Sequence, residues 1–333
     1  MVLFAFRAPM TLVLHRRQLI AAAALLASSV ATQAETQPLV MFVPEPPGGT
    51  LGDTAIAYRR ELKGIGVSRP IRIQYANKIS GIDAVSYFND TFYKRRDAIL
   101  VAGLGLYGQL ILARRGAELR ALAPVCRLST EPAVIVAPVL SSISTLQELI
   151  DLWIADPGSI VISGGERGGL ESVLIARLAR AVAIPPNTVN FQSYAGGGQV
   201  LAATLGGNRG ITVGFASEFR YAILRQEVRP LAISSLAPFT GLPVRPIAET
   251  LHTNFDTVSW TCLFAPAGID GAALALHRSQ ARAVANSPRW LAACKDNDQT
   301  ADYLDPELMS AFLEIEDAAI SQDMKDLRRR SGP

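Results

Sequence analysis

Short apolar runs alternate with amphipathic stretches along most of the chain. The runs have the length of buried strands, and the stretches between them carry apolar residues at helical spacing. The predicted strands lie at 39–44, 71–76, 98–103, 132–138 and 159–165, and in LRALAPVCRL, TVNFQSY, GITVGFAS, VRPLAIS and VSWTCLFAPAG. The segment after the last strand is predicted to be helical to the C-terminus. Strands that alternate with helices are typical of parallel sheets covered by helices on both faces.

The predicted strands fall into two clusters, and 333 residues are enough for two domains. Continuous strand-like runs near 132–138 and 258–266 are the expected crossings between them. We therefore predict an α/β chain of two lobes, each a mainly parallel sheet flanked by helices. Residues 35–133 together with 260–333 would form lobe 1, and residues 134–259 would be inserted between them as lobe 2.

The first 34 residues have the pattern of an export signal. Arg7, Arg16 and Arg17 precede the apolar run QLIAAAALLASSV, and an A-x-A type cleavage site follows at 32–34. The apolar run is short for a membrane span, so a membrane anchor is the weaker alternative. We expect cleavage near Ala34 and a periplasmic protein, with the Sec and Tat export routes both open.

The charge of the chain depends on that signal. Removing its three arginines from the 32 basic residues leaves 29, equal to the 29 acidic residues. The remaining chain is therefore neutral, and we expect no nucleic-acid partner. A hydrophobic fraction of 49% with 18% charged residues also excludes a disordered chain.

Cysteine and histidine are too few for most catalytic or metal sites. Cys126, Cys262 and Cys294 are an odd number without C-x-x-C or Cys/His spacing, so we predict buried inert thiols and leave a disulfide open. Beyond the signal only His252 and His277 remain, which poorly supplies a Ser-His-Asp triad. We expect no metal and no cofactor.

Glycine-rich turns precede predicted helices at three places. They are PPGGTLGD at 46–53, SGGERGG at 163–169 and SYAGGGQ at 193–199. A helix N-terminus has unpaired N–H groups and partial positive charge, and glycine lets an anion approach the main chain. No lysine follows the glycines, so a phosphate loop is excluded. The turns predict small-anion binding, while glycine for turn geometry alone is the alternative at each.

At these turns the chain resembles the extracytoplasmic solute-binding proteins of tripartite tricarboxylate transporters, often called Bug proteins. The segments that carry the resemblance are FVPEPPGGTLGD, TLQELIDLWIADPGSIVISGG, NFQSYAGGGQVLAATLGG, VRPLAISSLAPFTGLPVRPIAET and SWTCLFAPAG. The resemblance implies a type II periplasmic-binding-protein fold with a ligand cleft between the lobes. It also implies a small carboxylate ligand, held largely by backbone N–H groups, and membrane permease subunits as partners. We expect a monomer.

The resemblance also implies a set of ligand-binding residues. They are Gly48, Gly49, Thr50, Ser80, Gly81, Ser163, Gly164, Gly165, Tyr194, Ala195 and Gly196. The chain departs from the family pattern at Glu166 and Arg167, which stand where small residues are usual. An arginine there would favour a second carboxylate, and a glutamate would disfavour one.

Two other classes of function compete with solute capture for transport. A ligand sensor or orphan binding protein derived from the same fold is one alternative, and the sequence does not separate it from transport. An exported hydrolase is the other, and it would need a nucleophile with a base. Ser163 ends a predicted strand, but no G-x-S-x-G elbow surrounds it. We therefore expect that the protein is not an enzyme.

Overall fold

The computed structural model describes residues 37–77, 79–206 and 210–328, and the predicted export signal lies outside these ranges. Strands and helices alternate within them. The strands are β1 Leu39–Val43, β2 Ile71–Tyr75, β3 Ala98–Gly103, β4 Ala123–Pro138, β5 Val161–Gly164, β6 Asn190–Ser193, β7 Ile211–Phe215, β8 Val228–Ile233, β9 Val258–Ala265 and β10 Thr300–Leu304. The helices are α1 Thr50–Gly64, α2 Gly81–Phe92, α3 Leu104–Leu112, α4 Ala117–Arg120, α5 Leu146–Ala155, α6 Leu170–Ala181, α7 Gly197–Leu205, α8 Ala216–Leu224, α9 Ile247–Leu251, α10 Gly271–Ala285, α11 Pro288–Asp296 and α12 Pro306–Arg328.

Two groups of strands each contain three parallel neighbours. In the first group β1 pairs in parallel with β2 and β3, and β9 continues this sheet antiparallel to β3. In the second group β5 pairs in parallel with β6 and β7. Helices connect the parallel neighbours, as parallel pairing requires. The predicted α/β class is therefore confirmed, with antiparallel strands added to each parallel core.

Strand β4 belongs to both groups. Its residues 123–132 pair antiparallel with β9, and its residues 133–138 pair antiparallel with β7 and β8. The sequence predicted two strands here, because the polar segment 127–132 interrupts the apolar run. The structure has one continuous strand of 16 residues. Its polar middle passes from one sheet to the other.

Strand β10 corrects the prediction that the C-terminal segment is entirely helical. Thr300–Leu304 pairs antiparallel with β4 at the edge of the first sheet. An edge strand of mixed composition lacks the continuous apolar run of a central strand, so its pattern is weak. It is also partly exposed along most of its length.

Large apolar side chains fill the space between the sheets and their helices. One buried cluster includes Phe42, Trp153 and Trp260 and extends across both sheets. A second cluster, which includes Tyr58 and Trp290, covers the opposite face of the first sheet. Each such side chain contributes about 1.5–3 kcal/mol when it is removed from water. The continuous cluster joins the two sheets on one side of the molecule.

The C-terminal helix α12 contacts helices that follow strands of both sheets. Near its middle, Asp317 accepts a hydrogen bond from Tyr107 of α3 at 2.5 Å. Six residues later, the fully buried Asp323 binds Arg177 and Arg180 of α6. Because α3 follows β3 and α6 follows β5, the helix ties the two groups of strands together.

We expect Asp323→Asn to lower the free energy of unfolding by roughly 3 kcal/mol, because it leaves two arginines without their shared buried partner. Chemical denaturation measures the change. Asp326→Asn is the control, because Asp326 binds Arg180 and Gln322 at the partly exposed rim. That variant should lose less than about 1 kcal/mol. Equal losses in both variants would contradict a tie through Asp323.

Candidate functional site

The turns that follow the parallel strands gather at one edge of each sheet. Parallel neighbours end at the same edge, and ligands of open α/β sheets bind there. In the first sheet these ends are Val43, Tyr75 and Gly103, and in the second sheet they are Gly164, Ser193 and Phe215. Each of the three predicted glycine turns follows one of these strand ends.

Strand β4 makes the two edges face each other. It runs antiparallel to both β9 and β7, so the carboxyl ends of β3 and β7 point towards each other. Gly103 pairs with Thr261, which pairs with Ser129, while Phe215 pairs with Ala133. Four residues of extended chain, about 13 Å, separate the two edges along β4. We call the space between them the candidate cleft.

The first turn holds a glutamate of the protein itself. Gly49 is the N-cap of α1, and the Gly52 N–H donates to Glu45 Oε1 at 2.9 Å. A Cβ atom on Gly49 would collide with the Glu45 carboxylate. Burial raises the pKa of Glu45, and the N–H groups of Gly52 and Leu51 lower it in part. Glycine at this position therefore makes room for Glu45.

Ser80 and Gly81 lie beside the first turn. The Ser80 hydroxyl caps α2 by accepting from the Asp83 N–H at 3.3 Å, and it donates to Asp83 Oδ2 at 2.6 Å. The position of a Cβ on Gly81 is 3.4 Å from the Pro44 carbonyl oxygen. The structure thus brings the two lobe 1 segments together, with the serine already used as a helix cap.

The second turn repeats the arrangement of the first. Glu171 is 4% exposed, and its Oε1 would lie 2.6 Å from a Cβ on Gly165. A Cβ on Gly169 would lie 2.9 Å from Glu171 Oε2. Burial raises the pKa of Glu171 to about 7, although hydrogen bonds from the N–H groups of Glu171 and Gly165 lower it in part. Ser163 is fully buried at the end of β5, below this turn.

The second turn also touches the first sheet's helix α3. Gln109 donates to Glu166 Oε2 at 2.6 Å, and a Cβ on Gly108 would collide with the Gly168 carbonyl. Arg167 stacks on the Phe191 ring at 5.9 Å from its centroid. The two residues that depart from the family pattern therefore have partners within the protein.

The third turn is the most open of the three. Gly196 is the N-cap of α7 with extended backbone, and no atom lies within 4 Å of a Cβ built on Gly196 or Gly198. A Cβ on Gly197, by contrast, would collide with the carboxylate of Glu218. The Tyr194 N–H donates to the Gly164 carbonyl at 2.9 Å, which links this turn to the second.

Neighbouring Ala195 has a weak contact only. Its N–H donates to Gln199 Oε1 at 3.4 Å, within the same helix start. With Gly196 and Gly198, it forms the part of the cleft where main-chain groups have the most room.

The middle of β4 contributes a buried acid to the floor of the candidate cleft. Glu131 is 3% exposed and accepts from the Ser217 hydroxyl at 2.5 Å. Burial above all, together with the charges of Glu218 and Asp298, raises the pKa of Glu131 to about 8, although the hydrogen bonds from Ser217 lower it in part. Asp298 binds Arg220 at 2.6 Å. The floor therefore carries more acidic than basic groups.

Glu218 stands between this floor and the third turn. Burial raises its pKa, and the Phe215 N–H lowers it in part. Its Oε2 atom is buried and has no hydrogen-bond partner among the described residues. A buried carboxylate oxygen without a donor is costly, which agrees with the raised pKa of Glu218.

The sequence predicted the turns but not the acids that fill them. The predicted residues of the first turn lie together with Ser80 and Gly81, and those of the second and third turns lie together across β5 and β6. Their assignment to ligand binding stays a prediction. The missed residues are Glu45, Glu131, Glu171 and Glu218. Acids in the first turn of a helix were the available signal for two of them, since Glu171 and Glu218 lie there.

Other chemistry-bearing residues lie apart from these turns. The three cysteines are free and buried, so none forms a disulfide, and burial raises the pKa of each thiol. Buried His277 contacts the Arg96 carbonyl at 2.9 Å. Among the described residues, no group of three or more His, Cys, Asp or Glu could hold a metal ion. None of the described helices is both long and apolar enough to span a bilayer.

We expect Gly49→Ala to lower the free energy of unfolding by about 1–2 kcal/mol more than Gly196→Ala does. Both residues are N-caps with extended backbone, so the intrinsic cost of alanine cancels. Only the first substitution displaces a carboxylate from a helix start, and such charged hydrogen bonds contribute about 1.5–3 kcal/mol. Urea denaturation of the two variants measures the difference, and equal costs would contradict the role given to Glu45.

We expect Glu131→Gln to flatten the pH dependence of stability between about pH 5 and about pH 8. Burial raises the pKa of Glu131 from 4.5 to about 8, so the folded protein keeps a proton that the unfolded chain releases. The free energy of unfolding of the wild-type protein therefore falls as pH rises through this window. The variant has no carboxyl at this position, so this part of the fall is absent. Denaturation at several pH values measures it, with exposed Glu227→Gln as control. A profile unchanged by Glu131→Gln would contradict the buried carboxyl.

Comparison with known proteins assigns the chain to a family. Residues 116–317, more than half of the chain, match the Tripartite tricarboxylate transporter family receptor (TctC). Protein BugT of Bordetella pertussis (strain Tohama I) is 27% identical over 261 residues, which are 75% of this chain and 77% of that protein.

Solved structures share the fold at low sequence identity. The periplasmic binding protein BugD has a TM-score of 0.70 at 16% identity, over 87% of this chain and 97% of its own. Rpa4515 of R. palustris, solved with adipate, has a TM-score of 0.74 at 17% identity, over 87% of this chain and 97% of its own. MatC of Rhodopseudomonas palustris, with bound malate, has a TM-score of 0.69 at 17% identity, over 86% of this chain and 99% of its own. The matched profile and the shared two-lobed fold lead to one conclusion: the chain belongs to the tripartite tricarboxylate transporter receptor family of periplasmic solute-binding proteins.

Proposed function

We propose that this chain captures a small carboxylate metabolite in the candidate cleft and delivers it to the permease subunits of a tripartite tricarboxylate transporter. The observation that carries the proposal is the pair of facing carboxyl edges, about 13 Å apart along β4, with glycine-started helices on both sides. Residues 35–133 with 260–333 would close as one lobe on residues 134–259 as the other. The change of pairing partner at residue 133 of β4 supports this division.

The third turn is the part of the cleft best suited to a carboxylate. Open space at Gly196 and Gly198 lets a ligand approach the N-terminus of α7. The positive end of the helix dipole and the unpaired N–H groups there attract an anion without a lysine or arginine. The second and first turns would close around the rest of the ligand.

The energy available is sufficient for this kind of capture. Micromolar affinity corresponds to about −8 kcal/mol, and each hydrogen bond to a charged group contributes about 1.5–3 kcal/mol. A handful of main-chain contacts therefore suffices after the costs of ordering and desolvation. The malate and adipate bound in solved members of the fold support the choice of a small carboxylate.

We expect malate, adipate or a related small carboxylate to raise the melting temperature of the purified protein in a thermal-shift screen. A ligand at 100 times its dissociation constant adds about 2.7 kcal/mol to the free energy of unfolding. Gly196→Leu should abolish the response, because the larger side chain fills open space in the cleft without meeting the protein.

Gly271→Leu is the matched control for that experiment. Gly271 also has no atom within 4 Å of its Cβ position, but it starts α10, which does not follow a strand end of the candidate cleft. The control should keep the ligand response of the wild-type protein. A response that persists in Gly196→Leu would place the ligand elsewhere, and no response to any carboxylate would overturn the proposed function.

A further inference from the structure

A pocket lies at the amino ends of the parallel strands of the first sheet, whereas the candidate cleft lies at their carboxyl ends. Its walls are residues 65–69 before β2, residues 94–97 before β3, and one face of α10. Its volume is about 930 Å³, within the range of small-molecule sites. We call it the amino-end pocket. Because β1 and β2 are five residues long, about 15 Å of strand separates it from the candidate cleft.

We propose that the amino-end pocket binds an aliphatic carboxylate, with the anionic head at Arg69 and the alkyl chain along α10. This site is separate from the proposed solute site and does not depend on it. Three observations support the inference: large apolar side chains that are exposed to solvent, cations in excess of acids, and a partly buried guanidinium without an anionic partner.

The apolar part of the pocket is aliphatic. Ile65 is 39% exposed and Leu276 is 49% exposed, and both line the pocket. Smaller apolar side chains extend this surface, namely Val67, Ala272, Ala273 and Ala283. None of the described residues that line it is aromatic. Exposed apolar side chains that gather in one concave surface mark an interaction site, whereas single ones do not. An alkyl chain would remove this surface from water.

Cations exceed acids around the amino-end pocket. The cations that line it are Arg69, Lys94, Arg95 and Arg96. Arg95 binds Asp97, which also lines the pocket, at 2.7 Å. Arg96 binds Asp270, the N-cap of α10, at 2.8 Å. Four cations less these two acids leave a net charge of +2, so the pocket attracts an anion.

Arg69 is the cation that the protein compensates least. It is partly buried, its Nη2 atom has no hydrogen-bond partner, and no ion pair within the described ranges includes its guanidinium. Burial lowers the pKa of Arg69, although the charge of Asp97 raises it in part. A partly buried charge without a partner is costly, and a carboxylate at the guanidinium would relieve that cost.

The guanidinium of Arg69 lies close to the helix that carries the apolar wall. Burial and, after it, the charge of Arg69 lower the pKa of His277 on α10 to about 4, so the two side chains are within electrostatic reach of each other. His277 directly follows Leu276 in the chain, and Leu276 lines the pocket. One molecule can therefore place its head at Arg69 and its chain against α10.

Three probes that share either the head or the chain test the purified protein by isothermal titration calorimetry. Octanoate has both, butyrate has the head with a short chain, and 1-octanol has the chain without the charge. We expect octanoate to bind at least tenfold more tightly than butyrate and 1-octanol. No binding of octanoate, or equal binding of either partial probe, would overturn the inference.

A second titration decides which site octanoate occupies. Malate or adipate at saturating concentration should leave the affinity for octanoate unchanged, and Gly196→Leu should bind octanoate as the wild-type protein does. Competition between octanoate and either acid would place octanoate in the candidate cleft and would overturn the inference while the proposed function stands. Binding of octanoate without binding of any small dicarboxylate would support the inference and count against the proposed function.

Variants connect the binding to the amino-end pocket. Arg69→Gln should weaken octanoate binding at least tenfold. Ala272→Glu should also weaken it, whereas Ala275→Glu should not. Both alanines are exposed near the start of α10 and both changes add one negative charge, but only Ala272 lines the pocket. Equal affinities in the two glutamate variants would overturn the inference, even if Arg69→Gln does not fold.

An anionic phospholipid is the other source of a negative head on an aliphatic chain. Sedimentation with phosphatidylglycerol vesicles separates it from the free acid that we propose. We expect the wild-type protein to remain in the supernatant. Sedimentation with the vesicles that Arg69→Gln abolishes would overturn the free carboxylate as the ligand of this pocket and assign the pocket to a lipid surface.

Discussion

Unpaired N–H groups at the start of a helix are stabilised by a negatively charged partner, and this attraction determines how the candidate cleft is arranged. At two turns the protein supplies this partner itself, because the carboxylates of Glu45 and Glu171 lie at the N-termini of α1 and α6. At the third turn the Glu218 carboxylate lies against Gly197 but leaves open space beside Gly196 and Gly198. The same electrostatic attraction therefore stabilises the fold at two places and remains available for a ligand at another.

The geometry of β4 determines where this attraction can act. One strand pairs with both groups of parallel strands, so their carboxyl edges face each other instead of pointing to separate surfaces. Helix α12 and the core around Trp260 hold the same two groups together on one side. Turns that would otherwise be unrelated in space become two walls of one site.

Local patterns in the sequence predicted most of this arrangement, because strand ends and glycine turns depend on neighbouring residues. The α/β class and the places of the three turns follow from such patterns. The single strand β4 did not, since pairing partners on both sides hold its polar middle in place. The acids were missed for a related reason: Glu218 fills the space beside Gly197 from a different helix, and only the folded chain brings them together.

Because the Glu45 carboxylate occupies the space beside Gly49, substitutions at these two positions are expected to be coupled in evolution. A lineage that replaced Glu45 with a shorter side chain would no longer need glycine at position 49, and a lineage that gained a side chain at 49 would expel Glu45. The two positions are thus expected to change as a pair. Relatives that lost such a pair would expose a further helix start, and their cleft could receive acids with more than one carboxylate.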